Sequence, residues 1–131
     1  DVAIMRLREG PVFFEDLVGG SIEGNALFEE FKGALTEQYA CQELIASCGL
    51  IPYYWSAENS RGEVDFLVQS AGAVYAIEVK AEKNLRAKSL RSFKEKYSEV
   101  QARRFSLSDY REQDWLTNVP LYLMGNTGLW L

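Results

Sequence analysis

Histidine is missing from this chain, and its absence excludes more than any residue present. Ser-His-Asp and Cys-His nucleophilic sites fall away, and so do most zinc sites. Any catalysis has to rest on carboxylates, lysine or a hard metal ion. There are two cysteines, Cys41 and Cys48, too few for a disulfide framework or, without histidine, for a metal site. Seven apart in a helical segment, they would stand about 10 Å apart along one side of it, too far to bridge. They read as reduced thiols and point to a cytoplasmic protein. No apolar run approaches the ~18 residues of a membrane-spanning helix. Asp1-Val2-Ala3 runs into Arg6 and Arg8, not into the apolar stretch of a secretory signal. With 47% hydrophobic and 25% charged residues among 131, the composition excludes disorder and fits one globular domain.

Charge is unevenly spread. The chain carries −5 overall, yet residues 80–104 hold nine basic side chains and three acidic ones. That stretch is +6, on a body of −11. A basic segment of this kind is either a polyanion surface or a solvated helix face.

Residues 1–23 contain two weak helical patches, Val2–Arg8 and Phe13–Val18, the second broken by Gly19-Gly20. They read as a helical extension, the tail of a preceding module, with the main domain over 24–131. Leu27, Phe31, Leu35, Gln38, Cys41 or Gln42, and Ile45 recur at helical steps and predict a helix over 26–48, with Gly49 as its C-cap. A strand is expected over Leu50–Trp55 and a loop over Ala57–Gly62. Alternation then predicts strands over Glu63–Gln69 and Ala73–Lys80, joined at Ala71-Gly72. A helix over Ser89–Ser98 follows, then a strand over Gln101–Leu107. A polar turn or short helix is expected over Ser108–Trp115, and a last strand over Val119–Met124. The order implies an α/β fold with a mixed sheet.

The hairpin places chemistry. A two-residue loop makes paired residue numbers sum to 143, so Asp65 is expected opposite Glu78, and Glu63 opposite Lys80. Glu63, Asp65, Leu67 and Gln69 share a face with Val74, Ala76, Glu78 and Lys80. Val64, Phe66, Val68, Tyr75, Ile77 and Val79 form an apolar face opposite. Two carboxylates with Cβ atoms about 4.5–5.5 Å apart repel unless a proton or cation lies between them. With Lys80 beside them they suit Mg²⁺ or Mn²⁺, which take oxygen ligands. Plain cross-strand ion pairing, Glu63 with Lys80 and Asp65 in water, fits the same spacing. On the long helix, Glu37 has Gly33, Ala34, Ala40 and Cys41 as its neighbours at helical steps. It is the helix acid best placed to enter a packed site, or else a surface glutamate between small residues.

Asp65, then Glu78-Val79-Lys80 after a hairpin, resembles the PD-(D/E)xK motif of the restriction-endonuclease-like superfamily, with Val64 where the motif has proline. The resemblance is closer to one family. Gly33-x-Leu35-x-Glu37-x-Tyr39, Tyr54-Trp55, Glu63-Val64-Asp65-Phe66, Ile77-Glu78-Val79-Lys80, Lys88-Ser89-Leu90 and Asn118-Val119-Pro120-Leu121-Tyr122 look like the uncharacterised C-terminal domain of bacterial and archaeal AAA+-type ATP-binding proteins. It runs from about Phe31 to Leu123. It implies an α-β-β-β-α-β core, a signature of Asp65, Glu78 and Lys80, and Glu37 as the helix acid. No G-x-x-x-x-G-K-[ST] loop occurs, so no ATP site of that kind is expected in this chain.

Two functions follow as expectations. In the first, Asp65, Glu78, the Val79 carbonyl and Glu37 hold Mg²⁺ or Mn²⁺. Lys80 then positions water for phosphodiester hydrolysis of DNA, and Lys83, Arg86, Lys88, Arg91 and Lys94 engage phosphates. In the second, the domain binds nucleic acid, or the ATPase module of its parent protein, without turnover. Neither calls for a membrane.

Overall fold

A computed structural model describes residues 25–59, 62–81 and 87–131, with side chains on the first helix described from Lys32. The patches expected within 1–23 lie outside the described residues. Helix α1 spans Asn25–Ala46. Its end is set by backbone geometry. Gly49 has a φ of +66°, in the left-handed region that glycine favours, and Leu50 donates its N–H back to the Leu44 carbonyl at 2.8 Å, closing the helix end. The buried stripe of α1 is Ala40, Cys41 and Leu44, whereas Ile45 is exposed. The sequence stripe through Ile45 was therefore displaced by one position at this end of the helix.

Strands β1 (Tyr53–Ser56), β2 (Glu63–Ser70), β3 (Ala73–Lys80), β4 (Gln101–Ser106), β5 (Arg111–Glu112) and β6 (Leu116–Pro120) form one sheet, in the order β1-β2-β3-β4-β6-β5. The first three are antiparallel, β3, β4 and β6 run parallel, and β5 is antiparallel to β6. The fold is thus α/β with a mixed sheet. Helix α2 (Lys88–Lys96) makes the crossover from β3 to the parallel β4. Among the described residues no helix is long and apolar enough to cross a membrane.

One core lies on each face of the sheet. Ala40, Cys41 and Leu44 of α1 pack with Phe66, Val68, Ile77, Phe105, Val119 and Trp130. Leu90 and Phe93 of α2 pack with Trp55, Val64, Ala76, Ala102 and Leu116. Trp55 and Phe93 meet edge to face at 4.9 Å.

The hairpin turn has positive φ at both Ala71 (48°) and Gly72 (81°), as a two-residue primed turn requires. Pairing follows the expected register from Ser70↔Ala73 to Phe66↔Ile77. There it stops, so neither Asp65↔Glu78 nor Glu63↔Lys80 is a ladder pair. The cause lies in β2. Between Tyr53↔Leu67 and Trp55↔Val64, two steps along β1 match three along β2, which is a β-bulge. The extra residue breaks the alternation. Val64 joins the α2-side core instead of lying with Phe66 and Val68 under α1.

The C-terminal part departs from its expected elements in two places. Arg111–Glu112 is a short edge strand where a turn or helix was expected; two exposed polar residues give no strand signal. The last strand is Leu116–Pro120, followed by a 3-10 turn over Leu121–Leu123, instead of Val119–Met124. Pro120 has no N–H to continue a ladder. The half-buried, exposed, half-buried pattern of Leu121, Tyr122 and Leu123 mimics strand alternation.

Candidate active site

Where β2 and β3 part, side chains replace the missing ladder bonds. The backbone N–H of Val79 donates to Asp65 Oδ2 at 2.8 Å. This bond orients the half-buried Asp65 carboxylate at the opening between the strands. The Val79 side chain is buried in the α1-side core, so only its backbone faces the opening chemistry.

Glu78 and Lys80 alternate with Ile77 and Val79 and so lie on the α2 side of the sheet. Lys80 Nζ stands 3.3 Å from Glu78 Oε1. The Glu78 side chain is only 12% exposed, and its Oε2 is buried with no hydrogen-bond partner. Burial pushes the Glu78 carboxyl above the usual carboxylate range, while Lys80 and Arg104 pull it back.

Arg104 and Asn118 continue the row. In register, Glu78 on β3 faces Arg104 on β4, Arg104 faces Asn118 on β6, and Asn118 faces Arg111 on β5. Arg104 is 3% exposed and donates through Nε to Asn118 Oδ1 at 2.9 Å, an oxygen that also accepts from Ser106 Oγ at 2.8 Å. Asn118 Nδ2 in turn donates to the Asp109 carbonyl at 2.9 Å. Burial holds the Arg104 pKa below its ordinary value; Glu78 opposes that and Arg111 adds to it. Arg104, Ser106 and Asn118 carried no site signal in the sequence. The available hint was polar residues at alternate positions of a strand, Arg104 and Ser106, following buried Ala102.

The other expected site residues fall elsewhere. Glu37 is half-buried on α1, the helix that covers the opposite face from Glu78 and Lys80. Among the described residues no three acidic or cysteine side chains stand close enough together to hold a metal ion. Lys88 is exposed at the start of α2. Arg91 pairs with Glu95 at 3.2 Å and lies over the Trp115 ring at 5.9 Å. Lys94 donates to the carbonyls of Ser98 and Val100, the latter at 2.6 Å, and so ties down the turn between α2 and β4. Lys83 and Arg86 lie outside the described residues.

The family model described as a domain of unknown function, DUF4143, matches residues 32–124. The chain belongs to this family. The match takes in all six strands, both acids of the β2–β3 opening, Lys80 and the Arg104–Asn118 pair. No curated protein and no solved structure matches the chain.

The donor chemistry at the opening fits a hard divalent cation. A buried carboxylate oxygen without a donor is a position that a cation satisfies. With two acids at hand, such an ion would keep much of its shell as water or substrate oxygen, which suits Mg²⁺.

Proposed function

We propose that this DUF4143 domain is a Mg²⁺- or Mn²⁺-dependent phosphodiester hydrolase acting on DNA, of the PD-(D/E)xK type. The observation that carries the reading is the unpartnered, buried Oε2 of Glu78, on a carboxylate whose other oxygen, Oε1, stands 3.3 Å from Lys80 Nζ, next to the strand opening where Asp65 is held. A buried ionised oxygen is costly unless something binds it, and both neighbours belong to the sequence signature.

Asp65, Glu78 and the Val79 carbonyl would hold the ion, which when bound supplies an activated water and charge neutralisation at the phosphoryl oxygens. Asp65 is kept in place by the Val79 N–H. Lys80 would orient the attacking water and offset charge that develops on the phosphate. Glu37 is left outside this set, because α1 covers the other face of the sheet. The domain would act in the cytoplasm, as the C-terminal part of an AAA+-type ATPase.

The test is cleavage of plasmid and single-stranded DNA with Mn²⁺ or Mg²⁺, comparing wild type with Glu78→Gln and Lys80→Met. Both substitutions should remove the activity while the far-ultraviolet circular dichroism stays unchanged. Equal cleavage by all three proteins would refute the assignment.

A further inference from the structure

Glu78 has a cation on each side. Lys80 Nζ stands 3.3 Å from its Oε1, and Arg104 on β4 is its cross-strand neighbour. Both attract the carboxylate. They differ in how they are held. Lys80 is half-buried at the end of β3, on a flexible four-carbon stem. Arg104 is buried and locked. Asn118 Oδ1 accepts from its Nε at 2.9 Å and from Ser106 Oγ at 2.8 Å, while Asn118 Nδ2 donates to the carbonyls of Asp109 and Ser108. The amide is saturated, so its orientation, and that of the guanidinium it anchors, is fixed. On the other side of Arg104 lies a cleft of about 460 Å³, lined by Asn118, Arg111 and Trp115. Arg111 repels Arg104, so the attraction that balances the buried guanidinium comes from Glu78.

The opening therefore carries two acids, Asp65 and Glu78, and two bases, Lys80 and Arg104, with no net charge. A phosphodiesterase that uses two metal ions holds them about 3.5–4 Å apart and needs oxygen ligands for both. Here one oxygen of Glu78 faces Lys80 and the other is open, and among the described residues no third acid or cysteine joins the pair. We propose that the opening takes a single divalent ion, on Asp65 and the open oxygen of Glu78, and that Arg104 is a positioning residue that acts through Glu78 as a fixed positive charge in place of a second ion. The inference rests on the hydrolase reading for the presence of an ion. It has a consequence that a merely structural arginine lacks. Arg104 offsets the buried Glu78 charge in the metal-free protein, and the same guanidinium repels a bound cation.

The test is electron paramagnetic resonance of free Mn²⁺, titrated at pH 8 with the full chain and without DNA. Wild type should bind one Mn²⁺ per chain, and Glu78→Gln should lose it. Arg104→Gln keeps a donor for Asn118 and drops the charge. It should bind Mn²⁺ about tenfold more tightly, the scale of a unit charge acting on a divalent ion a few ångströms away in a water-like dielectric. Arg104→Lys keeps the charge and should stay within about threefold of wild type. An arginine with only a structural role would lower the melting temperature of both variants and move neither affinity. The wild-type stoichiometry decides the one-ion claim even where a variant does not fold. Two Mn²⁺ per wild-type chain, none at all, or an Arg104→Gln affinity no higher than that of Arg104→Lys would overturn the proposal. DNA cleavage by a wild type that binds two ions overturns this inference and leaves the hydrolase standing. One bound ion, held more tightly by Arg104→Gln, with no cleavage supports the one-ion site and overturns the hydrolase.

Discussion

The Asp65 carboxylate takes the backbone N–H of Val79 at 2.8 Å, across the point where β2 and β3 separate. One side chain thereby does two things. It satisfies a donor that lost its strand partner, and it holds a carboxylate at the opening. Asp65→Ala should therefore lower stability as well as activity. A hydrogen bond to a charged acceptor is worth about 1.5–3 kcal/mol, and urea unfolding of Asp65→Ala should show a loss near the low end for this part-buried site. Asp65→Asn retains an acceptor oxygen and should lose less. A stability for Asp65→Ala equal to wild type would show that the bond does not hold in solution.

Glu78 gives a prediction of opposite sign. Its proton affinity is raised on balance, so burial outweighs the attraction of Lys80 and Arg104. The ionised form is then a cost to the metal-free fold at neutral pH, and Glu78→Gln should raise the melting temperature in EDTA. Millimolar Mg²⁺ or Mn²⁺ should raise it in wild type, because an ion bound only by the native state stabilises that state. The same ions should leave Glu78→Gln nearly unmoved. Identical shifts in the two proteins would count against Glu78 as a ligand.

Lys94 separates structure from recognition. Its ammonium ties down the turn between α2 and β4 through the carbonyls of Ser98 and Val100. Lys94→Met should cost about 1 kcal/mol of stability, the scale of a net hydrogen bond. Oligonucleotide affinity, by contrast, should hold close to wild type. A large affinity loss without a stability loss would restore Lys94 to the phosphate-binding residues the sequence suggested.

Cys48 supplies a pH test of the α1 packing. Its thiol donates to the Met124 carbonyl at 3.4 Å, and burial, with Glu43 adding, pushes its pKa above the ordinary 9.0. A group whose folded pKa is raised contributes stability that is lost as pH rises through that value. Stability should thus fall from about pH 9 upward. Cys48→Ser should show a smaller fall, because its hydroxyl does not titrate there. Iodoacetamide should label Cys48 more slowly in the folded protein than in urea at pH 8. Equal labelling rates would contradict the packing.

Much of this could be read from sequence wherever a local rule decides the outcome. Ala71-Gly72 specified the turn, the turn specified the register, and five pairs follow it from Ser70↔Ala73 to Phe66↔Ile77. Gly49 marked the end of α1. The bulge was not legible, because Val64 is as apolar as Phe66 and both faces of the sheet are covered by a helix. Period-two reasoning cannot choose between two buried faces. Arg104 was legible as charge but not as a buried group, since its burial depends on β6 and on Asn118 fourteen residues away. The basic stretch likewise divides in space. Arg91 and Lys94 serve α2 itself, Arg103 bonds the Trp130 carbonyl on the α1 side, and Arg104 turns to the cleft.

The central claim is that the Asp65–Glu78–Lys80 opening hydrolyses phosphodiesters. Its most direct measurement is cleavage of supercoiled plasmid and single-stranded DNA by the purified domain with Mn²⁺, with Lys80→Met as the comparison. Lys80→Met removes the ion-pair partner of the largely buried Glu78 carboxylate, so cleavage is compared at a temperature where circular dichroism shows both proteins folded. The account predicts metal-dependent cleavage by wild type and none by Lys80→Met. Cleavage by Lys80→Met at the wild-type rate, or none by either protein although Mn²⁺ raises the wild-type melting temperature, would contradict it.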